Sequence, residues 1–189
     1  MNFEEQYPFI WHKTVHPLVV GIGGGSRAGK TTLALHLKEA LPFDSQIISL
    51  DDCVLPEAMI PRIRNHINWE IPESIDYTLL RHKMETLSEK AQVIILEGLF
   101  VFSVPEIFSL LHLGIFLTIS RRKFIAEKKM DDRWGIEPLW YIYYIWKAYK
   151  AHAFAWKRLW GNYPLVIKLP GNEAHHAIPE LISLIQRLD

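Results

Sequence analysis

Residues 24–31 of the chain read Gly24-Gly25-Ser26-Arg27-Ala28-Gly29-Lys30-Thr31, and a second threonine, Thr32, follows them. The octapeptide fits the pattern G-x-x-x-x-G-K-[ST] without a mismatch. An apolar run precedes it and a helical pattern follows it, which is the setting of a phosphate-binding loop between a strand and a helix. A glycine-rich turn that merely links two elements is the alternative, but strand, spacing, lysine and threonine all agree with a phosphate loop. The motif therefore predicts a nucleoside triphosphate site.

The residue types in this motif suit the chemistry of phosphate. Glycines let backbone N–H groups approach a dense negative charge, and the N-terminus of the following helix adds a positive partial charge. We expect residues 24–32 to bind the nucleotide, with Lys30 reaching the β- and γ-phosphates and Thr31 coordinating Mg²⁺. Arg27 is bulky for such a loop. Its side chain is expected to point outward, where it is a candidate for holding phosphate.

Apolar runs and helical patterns alternate along the chain. Strands are predicted at 18–22, 47–50, 93–96, 115–119 and 165–169, and helices at about 31–41, 74–90, 122–130, 138–160 and 178–188. Several of the strands are apolar at successive positions, as is typical of strands covered on both faces. The pattern predicts an α/β fold, a doubly wound parallel five-stranded sheet with helices on both faces and a short lid. Residues 1–189 are interpreted as a single domain with an N-terminal extension at 1–17.

Composition narrows the functional classes. The 21 Lys and Arg balance 21 Asp and Glu, so charge gives no reason to expect a nucleic-acid or membrane-surface partner. The single cysteine, Cys53, permits no internal disulfide and favours a reducing, cytoplasmic compartment. Residues 1–17 contain no long apolar run, and basic residues interrupt the aromatic stretch at 140–160, which therefore predicts a buried or half-buried helix rather than a membrane span.

Carboxylates follow two of the predicted strands. Asp51 and Asp52 follow the second strand and Glu97 follows the third. Ligands bind at the carboxyl ends of strands in an open parallel sheet, and phosphoryl transfer needs a group that orients the attacking hydroxyl and a carboxylate near the metal. A lone acid after a strand is usually a turn residue or a helix cap, but three acids beside a phosphate loop favour catalysis. We predict Asp52 as the base and Glu97 as the acid on the metal side, while Asp51 is equally well explained as structural.

Four segments of the chain resemble landmarks of the uridine kinase-like P-loop kinases, and within them those of the nicotinamide riboside kinases most closely. They are the phosphate loop, IISLDD at 47–52, NWEIPESID at 68–76 and VIILEGLFVF at 93–102, in the order in which the family has them. The resemblance implies that Asp52 is the base, that Trp69 stacks on the substrate ring and that Glu70 binds the ribose diol. It further implies transfer of phosphate from ATP or GTP, with Mg²⁺, to the ribose 5′-hydroxyl of a nucleoside.

The chain departs from the family pattern at three places. Glu70 stands where the family more often has Asp, and Cys53 begins an apolar run where an aromatic and a basic residue are usual. The arginine-rich lid, at about 121–137, is reduced to Arg121, Arg122, Lys128, Lys129 and Arg133. Arg133 is a candidate for neutralising charge on the transferring phosphoryl group, or else an exposed loop arginine. Lys128 and Lys129 are expected on a solvated helix face, and Trp69, without the resemblance, is interpreted as a core residue.

Other functions are compatible with a phosphate loop. A uridine or cytidine kinase, or another vitamin-precursor kinase, is the alternative within the class. A P-loop GTPase switch is more distant, because residues 132–135 fit D-x-x-G without following a strand and the chain has no N-K-x-D. A non-catalytic nucleotide-binding module is disfavoured because the loop and the strand-end acids are retained together. We expect a monomer or small homo-oligomer that takes a small-molecule nucleoside and a nucleoside triphosphate.

Overall fold

A computed structural model describes residues 17–131, 135, 137–159 and 165–188. Five parallel strands form one sheet in the order β2-β5-β1-β6-β7. These strands are β1 (Leu18–Gly24), β2 (Ser45–Ser49), β5 (Val93–Gly98), β6 (Leu113–Thr118) and β7 (Leu165–Pro170). A separate antiparallel hairpin consists of β3 (Arg62–Ile63) and β4 (His66–Ile67). The helices are α1 (Lys30–Ala40), α2 (Tyr77–Ser88), α3 (Pro105–Phe108), α4 (Arg121–Lys129), α5 (Leu139–Leu159) and α6 (Ile178–Leu188).

The predicted fold class is confirmed, and the differences lie at element ends and in short elements. The helix predicted at 74–90 is α2, which begins later because Pro72–Ser74 form a 3₁₀ turn and Asp76 caps the helix. The Asp76 carboxylate accepts a hydrogen bond from the Leu79 N–H at 2.9 Å, which is a typical N-cap contact. The short α3 and the β3–β4 hairpin were not predicted, because neither is long enough to show a periodic apolar pattern.

The sheet is covered on both faces. On one face α1 and α6 contribute Leu33, Leu37, Leu181 and Ile185 to an apolar cluster. On the other face the cluster is built from α2, the 100–111 segment and α5. All six residues of β5 are buried, which explains the continuous apolar run in its sequence. Burial of each large apolar side chain contributes about 1.5–3 kcal/mol, so the sheet forms a stable support for the loops at its carboxyl edge.

Helix α5 contains the aromatic stretch that was predicted to be buried or half-buried, and one face of its described part, at 141–149, is buried. Its buried face carries Tyr141, Ile142, Ile145 and Tyr149 at helical spacing. Phe124 of α4 packs against this face. The Tyr141 hydroxyl donates a hydrogen bond to the Ile67 carbonyl at 2.9 Å, so α5 also holds the β3–β4 hairpin. Within the described part of the chain, no helix is both long enough and apolar enough to cross a membrane.

Candidate active site

The phosphate-binding loop connects β1 to α1 at the carboxyl edge of the sheet. Gly24 and Gly29 have φ angles of 146° and 92°, which favour glycine. A Cβ added to Gly24 would lie 2.4 Å from the Leu117 carbonyl oxygen of β6, so the loop passes too close to that strand for a side chain. The N-cap of α1 is Gly29, which has no side chain to bond the first N–H groups of the helix. Those groups are therefore available to an anion, as the motif predicts.

Lys30 and Thr31 begin α1 directly after the loop. The Lys30 ammonium donates a hydrogen bond to the Gly25 carbonyl at 3.2 Å, so the side chain folds back over the loop. The Thr31 hydroxyl donates to Glu97 Oε1 at 3.2 Å. The Ser49 hydroxyl donates to the same oxygen at 2.7 Å. Glu97 is 2% exposed, so two hydroxyls hold a buried carboxylate at the junction of β2, β5 and α1.

The oxygens of Thr31, Ser49 and Glu97 are the ligand type that Mg²⁺ prefers. Mg²⁺ in phosphoryl-transfer sites is usually held by only one or two carboxylates together with substrate phosphates and water. One carboxylate with an adjacent hydroxyl beside a phosphate loop therefore fits the predicted ion.

Asp51 and Asp52 lie in a 3₁₀ turn, Leu50–Asp52, that follows β2. Both residues are exposed. The Asp51 N–H donates to the Ser49 hydroxyl at 3.3 Å, and the Lys83 ammonium donates to the Asp52 carbonyl at 3.2 Å. The turn thus places both carboxylates at the edge predicted from the sequence. Cys53 is fully buried behind them, and this burial raises the pKa of its thiol, in agreement with the prediction of a small apolar residue.

The segment around Trp69 and Glu70 is anchored to α5 on both sides of the tryptophan. The Asn68 amide donates to the Tyr144 hydroxyl at 2.9 Å. The His152 ring Nε2 lies 3.3 Å from the Glu70 carbonyl oxygen. Trp69 itself is half-buried. The backbone on either side of Trp69 is therefore held to a long helix, which restricts where the indole can point.

Glu70 is a buried acid with an unsatisfied oxygen. The residue is 9% exposed, and Oε2 has no hydrogen-bond partner among the described residues. Burial raises the pKa of this carboxyl to about 7. The positive charge of Lys128 lowers the pKa and the negative charge of Glu137 raises it. Lys30 lowers it and Asp51 raises it more weakly. The charges of Lys30 and Asp51 both act on the Glu70 carboxyl, so Glu70 interacts electrostatically with the phosphate loop and with the acid pair.

The structure corrects one interpretation in the region at 121–137. Lys128 is 6% exposed rather than solvated, and its ammonium lies 3.0 Å from both carboxylate oxygens of Glu137. Lys128 follows Phe124 by one helical turn, and this face of α4 is buried. Lys129 is exposed, as expected. Arg133 and most of the D-x-x-G match at 132–135 lie outside the described residues.

Comparison with known proteins finds relatives among nucleoside kinases. The chain is 26% identical over 141 residues to a uridine kinase from Chlamydia pneumoniae, a match that covers 61% of this chain and 64% of the relative. It is 27% identical over 117 residues to nicotinamide riboside kinase 1 from Homo sapiens, with coverages of 53% and 58%. The chain is a homologue of the uridine and nicotinamide riboside kinases. The matches span less than two thirds of the length of these two relatives.

The resemblance drawn from the four landmarks is thus confirmed. No protein-family model matches the chain. A solved structure from Bacillus stearothermophilus, described as a possible uridine kinase, superposes with a TM-score of 0.55 at 21% identity, over 85% of this chain and 93% of the other. This similarity supports the fold.

A cavity that the sequence did not reveal lies beside the phosphate loop. It has a volume of about 260 Å³ and lies between the loop, the ends of β6 and β7 and the start of α4. Its lining residues are Arg27, Ala28, Thr118, Ile119, Ser120, Lys123, Pro170, Gly171 and Asn172. A Cβ on Gly171 would lie 2.0 Å from the Ala28 carbonyl oxygen, so the chain after β7 packs directly on the loop. The available signal was Gly171, two residues after the last predicted strand.

Proposed function

We propose that this chain is a kinase that transfers the γ-phosphate of ATP or GTP to the ribose 5′-hydroxyl of a nucleoside, and that the nucleoside is nicotinamide riboside. The observation that supports the proposal is that Glu70 is buried with an unsatisfied oxygen and is influenced by the charge of the phosphate-loop lysine. Lys30 belongs to the phosphate loop and Glu70 to the segment predicted to hold the acceptor, and the charge of the first acts on the second. A kinase requires this arrangement, because donor and acceptor must meet in line.

The donor side would bind the triphosphate through residues 24–32. Backbone N–H groups at the start of α1 bind phosphate oxygens, and the Lys30 ammonium moves from the Gly25 carbonyl to the β- and γ-phosphates. The cavity beside Gly171 is placed to accept the nucleotide base. Thr31 and Glu97 would hold Mg²⁺, which neutralises phosphate charge when bound. Arg133 is proposed to lie over the transferring phosphoryl group.

The acceptor side would bind and activate the nucleoside. Glu70 offers two acceptor oxygens to the vicinal diol of the ribose. Asp52 accepts the proton of the 5′-hydroxyl while the hydroxyl oxygen forms a bond to the γ-phosphorus, and the bond between the γ-phosphorus and the leaving diphosphate breaks. Asp51 is the competing base, because it lies in the same exposed 3₁₀ turn as Asp52.

Nicotinamide riboside suits this side because its ring is a cationic pyridinium. The indole face of Trp69 attracts a cation, and the acids at 51, 52, 70 and 97 make the surrounding field negative. Uridine is neutral and would instead need hydrogen bonds to its ring edge, which an indole face does not offer.

A substrate panel tests the proposal. The purified chain is incubated with ATP or GTP, Mg²⁺ and one of nicotinamide riboside, uridine, cytidine or pantothenate, and both products are quantified. We expect phosphorylated nicotinamide riboside and an equal amount of nucleoside diphosphate. Efficient phosphorylation of uridine or pantothenate, with no phosphorylation of nicotinamide riboside, would overturn the proposed substrate but not the proposed kinase activity. Release of inorganic phosphate with no phosphorylated acceptor would indicate a switch and overturn the kinase.

A further inference from the structure

Arg27 connects the phosphate loop to helix α4 through two carboxylates. Its Nε lies 3.7 Å from Glu127 Oε2, and its Nη1 lies 3.6 Å from Asp131 Oδ2. Glu127 also lies 3.6 Å from the Lys123 ammonium, and Asp131 follows the end of α4 with a side chain only 4% exposed. The guanidinium is therefore held from one side by acids of a helix distant in sequence.

The geometry leaves Arg27 able to bind a further group. Its φ angle is 64°, a left-handed conformation that a residue with a side chain seldom adopts without compensation from its surroundings. Both carboxylates are at ion-pair distance but beyond good hydrogen-bond distance. The buried Nε has no hydrogen-bond partner among the described residues, although a guanidinium carries five N–H donors. The same residue lines the cavity beside the loop.

We propose that Glu127 and Asp131 are positioning residues that hold the Arg27 guanidinium at the cavity, where it binds a phosphate group of the nucleotide. This inference rests on the proposed nucleotide site. Repulsion alone would make these two acids weaken the binding of an anion at the cavity. Positioning outweighs repulsion here because a guanidinium binds phosphate through a planar fork whose orientation matters.

A double-mutant cycle on nucleotide affinity separates positioning from repulsion. The dissociation constants of ADP and of adenosine are measured by calorimetry for the wild type, Arg27→Ala, Glu127→Gln and the double variant. We expect Arg27→Ala to weaken ADP binding about tenfold or more and to leave adenosine binding unchanged. Glu127→Gln is expected to weaken ADP about threefold when Arg27 is present. In the Arg27→Ala background it should no longer weaken ADP, because only its repulsion remains.

Three further variants make the cycle specific. Glu85→Gln removes a matched charge on the exposed face of α2, a helix that does not line the cavity, and should leave both affinities unchanged. Arg27→Lys keeps the charge but not the fork, and should bind ADP with an affinity between those of wild type and Arg27→Ala. Asp131→Asn should reproduce Glu127→Gln, and the cycle is repeated on Arg27→Lys if Arg27→Ala does not fold by circular dichroism.

Several outcomes would overturn the inference. Tighter ADP binding by Glu127→Gln with Arg27 present would show that repulsion dominates. Equal weakening in both backgrounds would show that Glu127 does not act through Arg27, and equal loss of ADP and adenosine in Arg27→Ala would show that Arg27 shapes the cavity rather than binding phosphate. A folded wild type that binds neither ADP nor ATP would instead contradict the proposed nucleotide site, so the two failures are distinguishable.

Discussion

The phosphate-loop side and the acceptor side of the candidate site are built in different ways. On the first side, Lys30 bonds a carbonyl five residues away, and Ser49 meets Glu97 because they are direct partners on adjacent parallel strands. On the second side, the contacts of Asn68, Ile67 and Glu70 reach α5 across 74 to 82 residues. A local motif and strand register fix the first side, whereas the packing of one aromatic helix fixes the second. Variants of the two sides should therefore affect different kinetic constants.

Lys30→Ala tests the first side and has the largest expected effect. Loss of one positive charge on a transferring phosphoryl group typically costs about 10³–10⁵-fold in turnover. We expect kcat to fall by this amount and triphosphate affinity to weaken, while nucleoside affinity and the thermal unfolding temperature change little. Steady-state kinetics and calorimetry measure these quantities. Lys38→Ala is the matched control, because Lys38 lies in the same helix and its ammonium donates a hydrogen bond to Gln46 rather than to the phosphate loop. Unchanged triphosphate affinity and turnover in a folded Lys30→Ala variant would contradict the proposal that the chain is a kinase.

Asp52→Asn tests whether Asp52, at the edge of the sheet between the two sides, is the catalytic base. The amide keeps the size of the carboxyl group but cannot accept the proton, and loss of a general base typically costs about 10²–10⁴-fold. We expect kcat to fall while the ATP dissociation constant stays within about twofold, because Asp52 is outside the phosphate loop. Asp51→Asn is the matched comparison in the same 3₁₀ turn. A larger loss of kcat in Asp51→Asn than in Asp52→Asn would assign the base to the other acid.

Glu70→Gln tests the acceptor side through its pH dependence. Burial raises the pKa of Glu70 to about 7, and only the carboxylate offers acceptors to both hydroxyls of a diol. The value of kcat/KM for the nucleoside should therefore rise as the pH increases through 7 and fall below it. Glu70→Gln should lose this step and, at pH 8, about 10–100-fold in kcat/KM. Glu57→Gln, an exposed acid, should retain the step.

The raised pKa of Glu70 should also make the stability of the fold depend on pH. A raised pKa means that folded Glu70 holds its proton more tightly than the unfolded chain does, so the contribution favours folding below pH 4.5 and is lost as the pH rises to 7. Glu70→Gln should therefore gain stability relative to wild type at pH 8 but not at pH 4, as measured by thermal unfolding. A pH step in kcat/KM that persists in Glu70→Gln would exclude Glu70 as its origin.

The difference between the two sides also explains what the sequence could and could not predict. The phosphate loop and the acids at 51, 52 and 97 followed from a motif and from the rule that the ends of parallel strands meet at one edge. The burial of Lys128 could not be predicted, because it depends on how α4 turns against α5. The cavity at Gly171 depends on β7 being the neighbour of β6, and sequence patterns do not fix strand order. The predicted roles of Trp69 and Glu70 came from resemblance rather than from the residues themselves.

Trp69→Leu gives the smallest expected effect and the sharpest test of the acceptor side. If the indole attracts a pyridinium, the variant loses about 0.5–2 kcal/mol, or roughly 2- to 30-fold in affinity, for a cationic ring only. Nicotinamide riboside and its uncharged dihydro form are a matched pair of nearly equal shape, so the ratio of their dissociation constants isolates the charge. We expect wild type to prefer the cation, Trp69→Leu to lose most of that preference, and Trp69→Phe to keep part of it because a phenyl face attracts cations more weakly than an indole. An equal loss of affinity for both ligands in Trp69→Leu would instead mean that Trp69 acts by packing, in keeping with the contacts of its neighbours with α5. Any preference for a cationic nucleoside would then have to arise from the acids alone.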